Sequence, residues 1–337
     1  MNTRLIVTIS VILFLIAGVI GGVYYFSAPA KNEQAVKKPI VIATSYWPGQ
    51  YWIDVANEKG FFKDAGLDVK IVNVQDDYFG SIYKVLGGTI DVNVIGFFDI
   101  AHTNALGGDL VMTALTDNSL GSEGLVVSKK IKTVKDLAHK SVAVPRDTYD
   151  EFFLDTILNR ADSNLKQTVT YIDMTPEKAY GFFEKGEIDG MVTWDPFLSD
   201  AVSELGANTL LTISELGGAV SGIVSTKRFI TTHANEMQKI IDVWKKATIY
   251  IRQNAEASYA IIARKYGVPV SDVMELHNND ATLTLEDNVA LLPNPTLKLP
   301  LSESVPLLRS YLKNKLPGAV VDLNSYIDMR FIRGASQ

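Results

Sequence analysis

Trp194-Asp195-Pro196 sets a flat apolar ring beside a carboxylate at the end of a buried β-rich run. That pairing suits a nitrogen-bearing solute: Asp195 accepts from a ligand N–H or ammonium while Trp194 packs on its apolar part. A charge-assisted bond of this kind contributes about 1.5–3 kcal/mol. The alternative is purely structural: Pro196 takes the first helical position and Asp195 caps the helix. Other residues with binding chemistry sit at comparable places. Tyr46 and Trp47 follow one β-rich run and Phe97-Phe98-Asp99 another. Asn118 and Ser119 follow a third, and Asp147-Thr148-Tyr149 precede a helical segment. Trp47 could equally anchor a core, and Asn118-Ser119 could simply turn the chain. Asp147 and Thr148 could cap the helix that follows. Phe97 and Phe98 are adjacent, so at least one should pack inward.

Catalytic chemistry has little to stand on. The four histidines, His102, His139, His233 and His277, show neither H-x-x-H nor H-E-x-x-H spacing. No phosphate loop, nucleophile elbow or dinucleotide fingerprint occurs between a strand and a helix. With no cysteine in the chain, thiol nucleophiles, Cys-ligated zinc, disulfides and a lipid-modified Cys are all excluded. No cofactor and no metal is expected. Most of the acids fall on segments that read as surface.

These candidates need elements to hold them, and short β-rich runs alternate with helical ones. Ile40–Tyr46 reads as a strand, Tyr51–Ala65 as a helix, Val69–Val74 as a strand and Phe79–Leu86 as a helix. Val92–Ile95, a helix over Ile100–Leu106 and a strand over Leu110–Leu115 continue the pattern. A second, shorter set follows: Val142–Val144, Glu151–Arg160, Val169–Ile172, Ala179–Phe183 and Met191–Trp194. Such alternation builds βαβ units and a mostly parallel sheet, an α/β class. Met237, Ile240, Ile241, Trp244, Thr248 and Ile251 share one face at helical spacing, and Ala255–Tyr266 follows as another helix. In open parallel sheets ligands lie beyond the carboxyl ends of strands, where the candidates above fall.

Two internal echoes organise the chain. Gly88-Thr-Ile-Asp91-Val-Asn-Val94 is matched by Gly186-Glu-Ile-Asp189-Gly-Met-Val192. Gly124-Leu-Val-Val-Ser128-Lys is matched by Gly222-Ile-Val-Ser225-Thr-Lys227. The second pair flanks the shorter set, where a chain must leave one lobe and return. Two βα lobes joined by a two-strand hinge satisfy both echoes. Residues 38–125 and 222–337 then form the first lobe and 126–221 the second.

Composition agrees with a folded α/β protein: 47% of residues are hydrophobic and 21% charged. The net charge of −6, without a basic block, argues against nucleic acid as a partner. After Arg4, residues 5–26 carry no charge, and Ser27-Ala-Pro-Ala30 follows. This N-terminal apolar segment reads as a signal peptide cut after Ala30, or as a membrane anchor through residues 5–26 if uncleaved. Both place the remainder in the periplasm or another extracytoplasmic space. Residues 31–38 read as a polar tether.

Four segments carry a family resemblance. Gly60-Phe-Phe-Lys-Asp-Ala-Gly66-Leu-Asp-Val69 resembles a G-F-F-x-x-x-G-L-D-V segment of the nitrate/sulfonate/taurine family of ABC substrate-binding proteins, which includes thiamine-precursor binders. Gly88-Thr-Ile-Asp91-Val is similar to its G-x-x-D-V segment. Asp136-Leu-Ala-His139-Lys140-Ser-Val-Ala-Val144 is similar to D-L-x-G-K-x-V-A-V, with His139 where Gly is common. Trp194-Asp195-Pro196 resembles its W-[ED]-P. The resemblance covers roughly residues 38–330. It implies a type II periplasmic-binding-protein fold, one small-molecule ligand between the lobes, and delivery to an ABC permease with its ATPase. It also supports ligand contact at Tyr46-Trp47 and at Trp194-Asp195. Nitrate suits the candidate lining poorly, since Arg146 is its one cation. The cysteine-rich motif of the family's thiamine-pyrimidine synthase branch is absent. The expected function is therefore solute binding rather than catalysis, with a taurine-like or other sulfonate first and a thiamine-type pyrimidine second. A membrane-tethered ligand sensor is the alternative role.

Overall fold

A computed structural model describes residues 38–291 and 304–335. Expectations for residues 1–30 and most of the polar tether lie outside the described residues. No described helix is long and apolar enough to cross a membrane.

The strands fall into three sheets. β1 (Ile40–Thr44) and β2 (Val69–Asn73) pair in parallel. A four-stranded sheet combines β3 (Asn93–Gly96) and β4 (Leu110–Ser119) with two strands from far along the chain. A five-stranded sheet holds β5 (Glu123–Val127), β6 (Ser141–Ala143), β7 (Thr170–Ile172), β8 (Gly190–Trp194) and β9 (Asn208–Thr212), in the order β7-β6-β8-β5-β9. β10 (Ala219–Thr226) and β11 (Asp280–Thr282) complete the four-stranded sheet, ordered β11-β4-β10-β3. A bridge between Ile42 and Val92 joins the first two sheets, which make up one lobe. The five-stranded sheet is the other. The pairing is mixed: β6 runs parallel to β7 and β8, whereas β5 and β10 run antiparallel to their partners.

Those antiparallel strands are the two that the second echo identified. β5 belongs wholly to the five-stranded sheet and β10 wholly to the four-stranded one. The chain therefore crosses between sheets at 120–122 and at 213–218, just before each echoed strand. The first echo also has a physical basis. Asp91 Oδ2 accepts the Val41 N–H at 2.8 Å, and Asp189 Oδ2 accepts the Ser141 N–H at 3.0 Å. In both lobes the same carboxylate pins the start of a neighbouring parallel strand.

Several boundaries differ from expectation, each for a local reason. The helix expected over Tyr51–Ala65 breaks into Tyr51–Glu58 and Phe61–Asp64, because Gly60 takes a left-handed φ of 74°. β4 continues past Leu115 to Ser119, so Asn118 and Ser119 lie in a strand rather than in a turn after one. Partners on both sides hold it: β11 pairs with Asp117–Ser119 on one edge and β10 on the other. His139, standing where the resembled motif has Gly, adopts a φ of 62°. His139→Gly should raise stability by about 1 kcal/mol by relieving that conformation, as denaturant titration would measure.

The cores follow the amphipathic patterns. In the long helix Ala234–Gln253, Met237, Ile240, Ile241, Trp244 and Ile251 are buried, packed with Tyr51, Trp52 and Val55 of the first lobe. Thr248, expected on that face, is half-buried. The helix Ala255–Tyr266 ends at Gly267 as its spacing predicted.

Candidate functional site

Because βα units end their strands at one edge, the loops from the two lobes face a shared cavity of ≈ 140 Å³. That space suits several waters or one small organic molecule. The first lobe contributes Ser45, Tyr46, Trp47 and Gln50 after β1, and Gln75, Tyr78 and Phe79 after β2. Phe97, Phe98 and Asp99 open the helix after β3, and Ser119 closes β4. The second lobe supplies Glu123 at the start of β5, Thr148, Tyr149, Asp150 and Phe152 at the helix after β6, and Trp194-Asp195 at the end of β8. Gly218–Ser221 line it along the return crossing, and Leu308 reaches it from the helix Ser304–Lys315.

Of the ten residues singled out in the sequence, eight line this cavity: Tyr46, Trp47, Phe97, Ser119, Thr148, Tyr149, Trp194 and Asp195. Asn118 and Asp147 do not. Alternation along β4 turns Asn118 away from Ser119, and its Nδ2 donates to the Gly217 carbonyl at 3.2 Å. Asp147 is largely exposed and pairs with Lys315 at 2.7 Å. Arg146, expected as the lining's one cation, instead pairs with Glu151 at 3.1 Å outside it. Phe98 joins Phe97 in the lining, since both lie in the first turn of a helix rather than on opposite faces of a strand.

The capping alternatives resolve differently at each position. Pro196 is not the first helical residue: it occupies the cap position and the helix begins at Phe197. Asp195 still serves that helix. Its Oδ1 accepts from the Ser199 N–H at 3.0 Å and from the Ser199 hydroxyl at 2.6 Å. Its own N–H donates to the Ser122 carbonyl at 2.9 Å, tying the end of β8 to the start of β5. Thr148 is the N-cap residue of Tyr149–Ala161, but its hydroxyl donates to the Pro145 carbonyl instead of receiving from the helix.

Hydrogen bonds fix the lining from behind. The Trp47 indole N–H donates to Asp117 Oδ2 at 2.9 Å, so that side chain is aimed by β4. The Tyr78 hydroxyl donates to Asp99 Oδ2 at 2.7 Å and accepts the Gly96 N–H at 3.0 Å. The Tyr149 hydroxyl donates to the Gly218 carbonyl at 3.0 Å, joining a second-lobe helix to the return crossing. Phe79 and Trp194 meet edge-on across the lobes, with ring centroids 6.3 Å apart.

Two of the lining acids, Glu123 and Asp150, are the feature that sequence reading missed. Asp99, Glu123, Asp150 and Asp195 line the cavity, and no described lining residue is Lys, Arg or His. Burial holds the Asp99 carboxyl up at about 6, with the Tyr78 hydrogen bond pulling it partly back. Burial and then the neighbouring Asp99 raise Asp150. Burial and the charges of Asp150, Asp99, Asp117 and Asp195 raise Glu123 well above its usual value. Asp195 is raised by burial against its bonds to Ser199. Behind them Asp117 and Asp280 are raised as well, again first by burial. Asp99 and Tyr78 stood at strand ends by the same rule that found Trp47. Glu123 and Asp150 carried no pattern of their own.

These shifts set a pH dependence. A carboxyl raised in the fold keeps its proton after the unfolded chain has lost one, so stability falls as pH rises through that interval. For Asp99 the interval runs from its ordinary 3.8 to about 6. Asp54, Asp117, Glu123, Asp150, Asp195, Asp200 and Asp280 act in the same direction, each raised first by burial. His102 and His277, lowered by burial, oppose it. Asp147 and Asp189 are lowered, so they act only below the ordinary carboxylate range. With eight described carboxyls against two imidazoles, the unliganded protein should melt at a higher temperature near pH 5 than near pH 7.5. Calorimetry across that range checks this, and a melting temperature that rises with pH would show the acids to be compensated.

The likeness to known proteins agrees with this architecture. A protein of Bacillus subtilis (strain 168) named for binding aliphatic sulfonates is 28% identical over 264 residues, 76% of each chain. The taurine-binding periplasmic protein of Escherichia coli (strain K12) is 25% identical over 321 residues, 90% of this chain and 95% of the relative. Among solved structures, the periplasmic aliphatic sulphonate binding protein SsuA from Escherichia coli superposes with a TM-score of 0.68. It covers 86% of this chain and 92% of its own at 20% identity, a likeness of fold. A family model described as NMT1/THI5 like matches residues 49–258, from the loop after β1 through both crossings and the whole five-stranded sheet. More than half of the sequence and all of the cavity lining except Ser45, Tyr46, Trp47 and Leu308 lie within that match, and the chain belongs to the NMT1/THI5-like family.

Proposed function

We propose that this chain is the extracytoplasmic solute-binding component of an ABC importer, holding one small nitrogen- or sulfur-containing organic solute between its lobes. The observation that carries the reading is the cavity itself, walled by strand ends of both sheets and flanked by two crossings. A two-lobed body of this kind closes by bending at its crossings. The names of the relatives, sulfonate- and taurine-binding, support the same role. Its partners are then an ABC permease and its ATPase, and the first 30 residues supply a signal or an anchor.

Tyr46, Trp47, Phe97, Ser119, Thr148, Tyr149, Trp194 and Asp195 are proposed as ligand contacts, with Asn118 and Asp147 in support behind them. A solute at a hundredfold excess over Kd stabilises the native state by about 2.7 kcal/mol, so the melting temperature must rise. Thermal scans against a panel of amines, amides, sulfonates and pyrimidines test this. No shift with any of them, and nothing co-purifying by native mass spectrometry, would end the transport reading.

Asp195 offers a sharper check. Asp195→Asn keeps an acceptor for Ser199 and so retains the local helix start, but removes the charge. Affinity should fall about tenfold or more with folding unchanged. An unaltered titration would leave Asp195 with its capping role alone.

A further inference from the structure

Resting on the solute-binding reading above, we infer that the solute carries an N–H-bearing cationic nitrogen, seated where Asp99, Glu123 and Asp150 meet the aromatic wall. Four carboxyl side chains line the cavity, and none of its described lining residues is basic. Arg146 and Lys315 are both engaged by Glu151, outside the lining. An anionic group held by these residues would have no countercharge among them, and an unpaired buried charge is costly.

A second observation is independent of the acid count. Asp150 is 3% exposed, yet its Oδ2 has no hydrogen-bond partner among the described residues. The buried Oε2 of Glu123 has none either. Buried acceptors are ordinarily paired, so two of them lining one cavity mark where an outside donor fits. Phe98, Tyr149 and Phe152 stand beside them as one cluster, with ring centroids 5.6–6.0 Å apart. Aromatic faces attract cations, most strongly where water is excluded. A primary or secondary ammonium, or a protonated ring nitrogen, satisfies the charge, the acceptors and the rings together. A quaternary nitrogen would leave the acceptors unpaired.

Calorimetric titration of the purified chain at pH 7.5 separates the possibilities. Benzylamine supplies an N–H cation, benzyltrimethylammonium a cation without N–H, benzenesulfonate an anion, and taurine both charges. Benzylamine should bind at least tenfold more tightly than benzenesulfonate and benzyltrimethylammonium. Glu123→Gln and Asp150→Asn should each weaken benzylamine at least tenfold, and taurine should weaken in parallel if its ammonium takes this place. Benzenesulfonate binding as well as benzylamine, or benzylamine unmoved by both variants, overturns the inference. Native mass spectrometry of the protein as isolated gives a second answer. A co-purified compound with a basic nitrogen supports the assignment. A purely anionic one refutes it while leaving the solute-binding reading standing. No probe bound and no compound retained would refute both.

Discussion

Asn288→Ala should lower the unfolding free energy by about 3–5 kcal/mol, the largest loss expected from any single truncation discussed for this protein. Asn288 is fully buried in the helix Leu285–Leu291. Its Oδ1 accepts the Leu115 N–H at 2.8 Å, and its Nδ2 donates to the Leu115 carbonyl at 2.9 Å and the Thr284 carbonyl at 2.8 Å. The amide thus continues the strand pairing of β4 beyond β11, which stops at Asp117. Alanine would leave both backbone groups of Leu115, itself fully buried, without partners. Each such group costs about 1–3 kcal/mol. Guanidinium unfolding measures the change. A loss below about 1 kcal/mol would mean that the helix shifts and water takes over the pairing.

Gly218→Ala should damage fold and binding together. Gly218 has a φ of 93°, and a Cβ there would stand 2.3 Å from Asn118 Oδ1 and 2.6 Å from the Ser119 carbonyl oxygen. The first contact is a side chain that could turn, but the second is backbone of β4. Left-handed strain and overpacking together amount to about 2–4 kcal/mol. The same residue lines the cavity, and its carbonyl accepts the Tyr149 hydroxyl. Whatever ligand is found by the scans above should therefore bind Gly218→Ala at least tenfold more weakly. Tyr149→Phe provides the comparison, since it removes only the hydrogen bond. Equal binding by Gly218→Ala and the wild type would remove the crossing from any part in ligand grip.

Much of the fold was legible because its causes are local. Helix and strand periods follow from which residues must face a core, and strand ends follow from those periods. Trp47, Thr148 and Trp194, all in the cavity lining, are legible in this way. The paired carboxylates Asp91 and Asp189 were visible as a repeated motif, and each closes the same bond in its own lobe. The helix break at Gly60 needed only attention to a residue that tolerates positive φ. What is near in sequence, or repeated in it, can be read from it.

Half of the site's charge could not be read that way. Glu123 and Asp150 come from separate elements, and nothing local distinguishes them from surface acids. Their burial and mutual repulsion exist only after β5 has been laid against β8 and the helix Tyr149–Ala161 has been brought to the first lobe. The bond from Trp47 to Asp117 spans 70 positions, and Leu308 arrives from a helix near the far end of the chain. Sequence by itself determined a two-lobed α/β body with binding loops at its strand ends. Tertiary structure alone decided that those loops enclose carboxyls without cations, because desolvation and through-space charge depend on distance between atoms, not on separation along the chain.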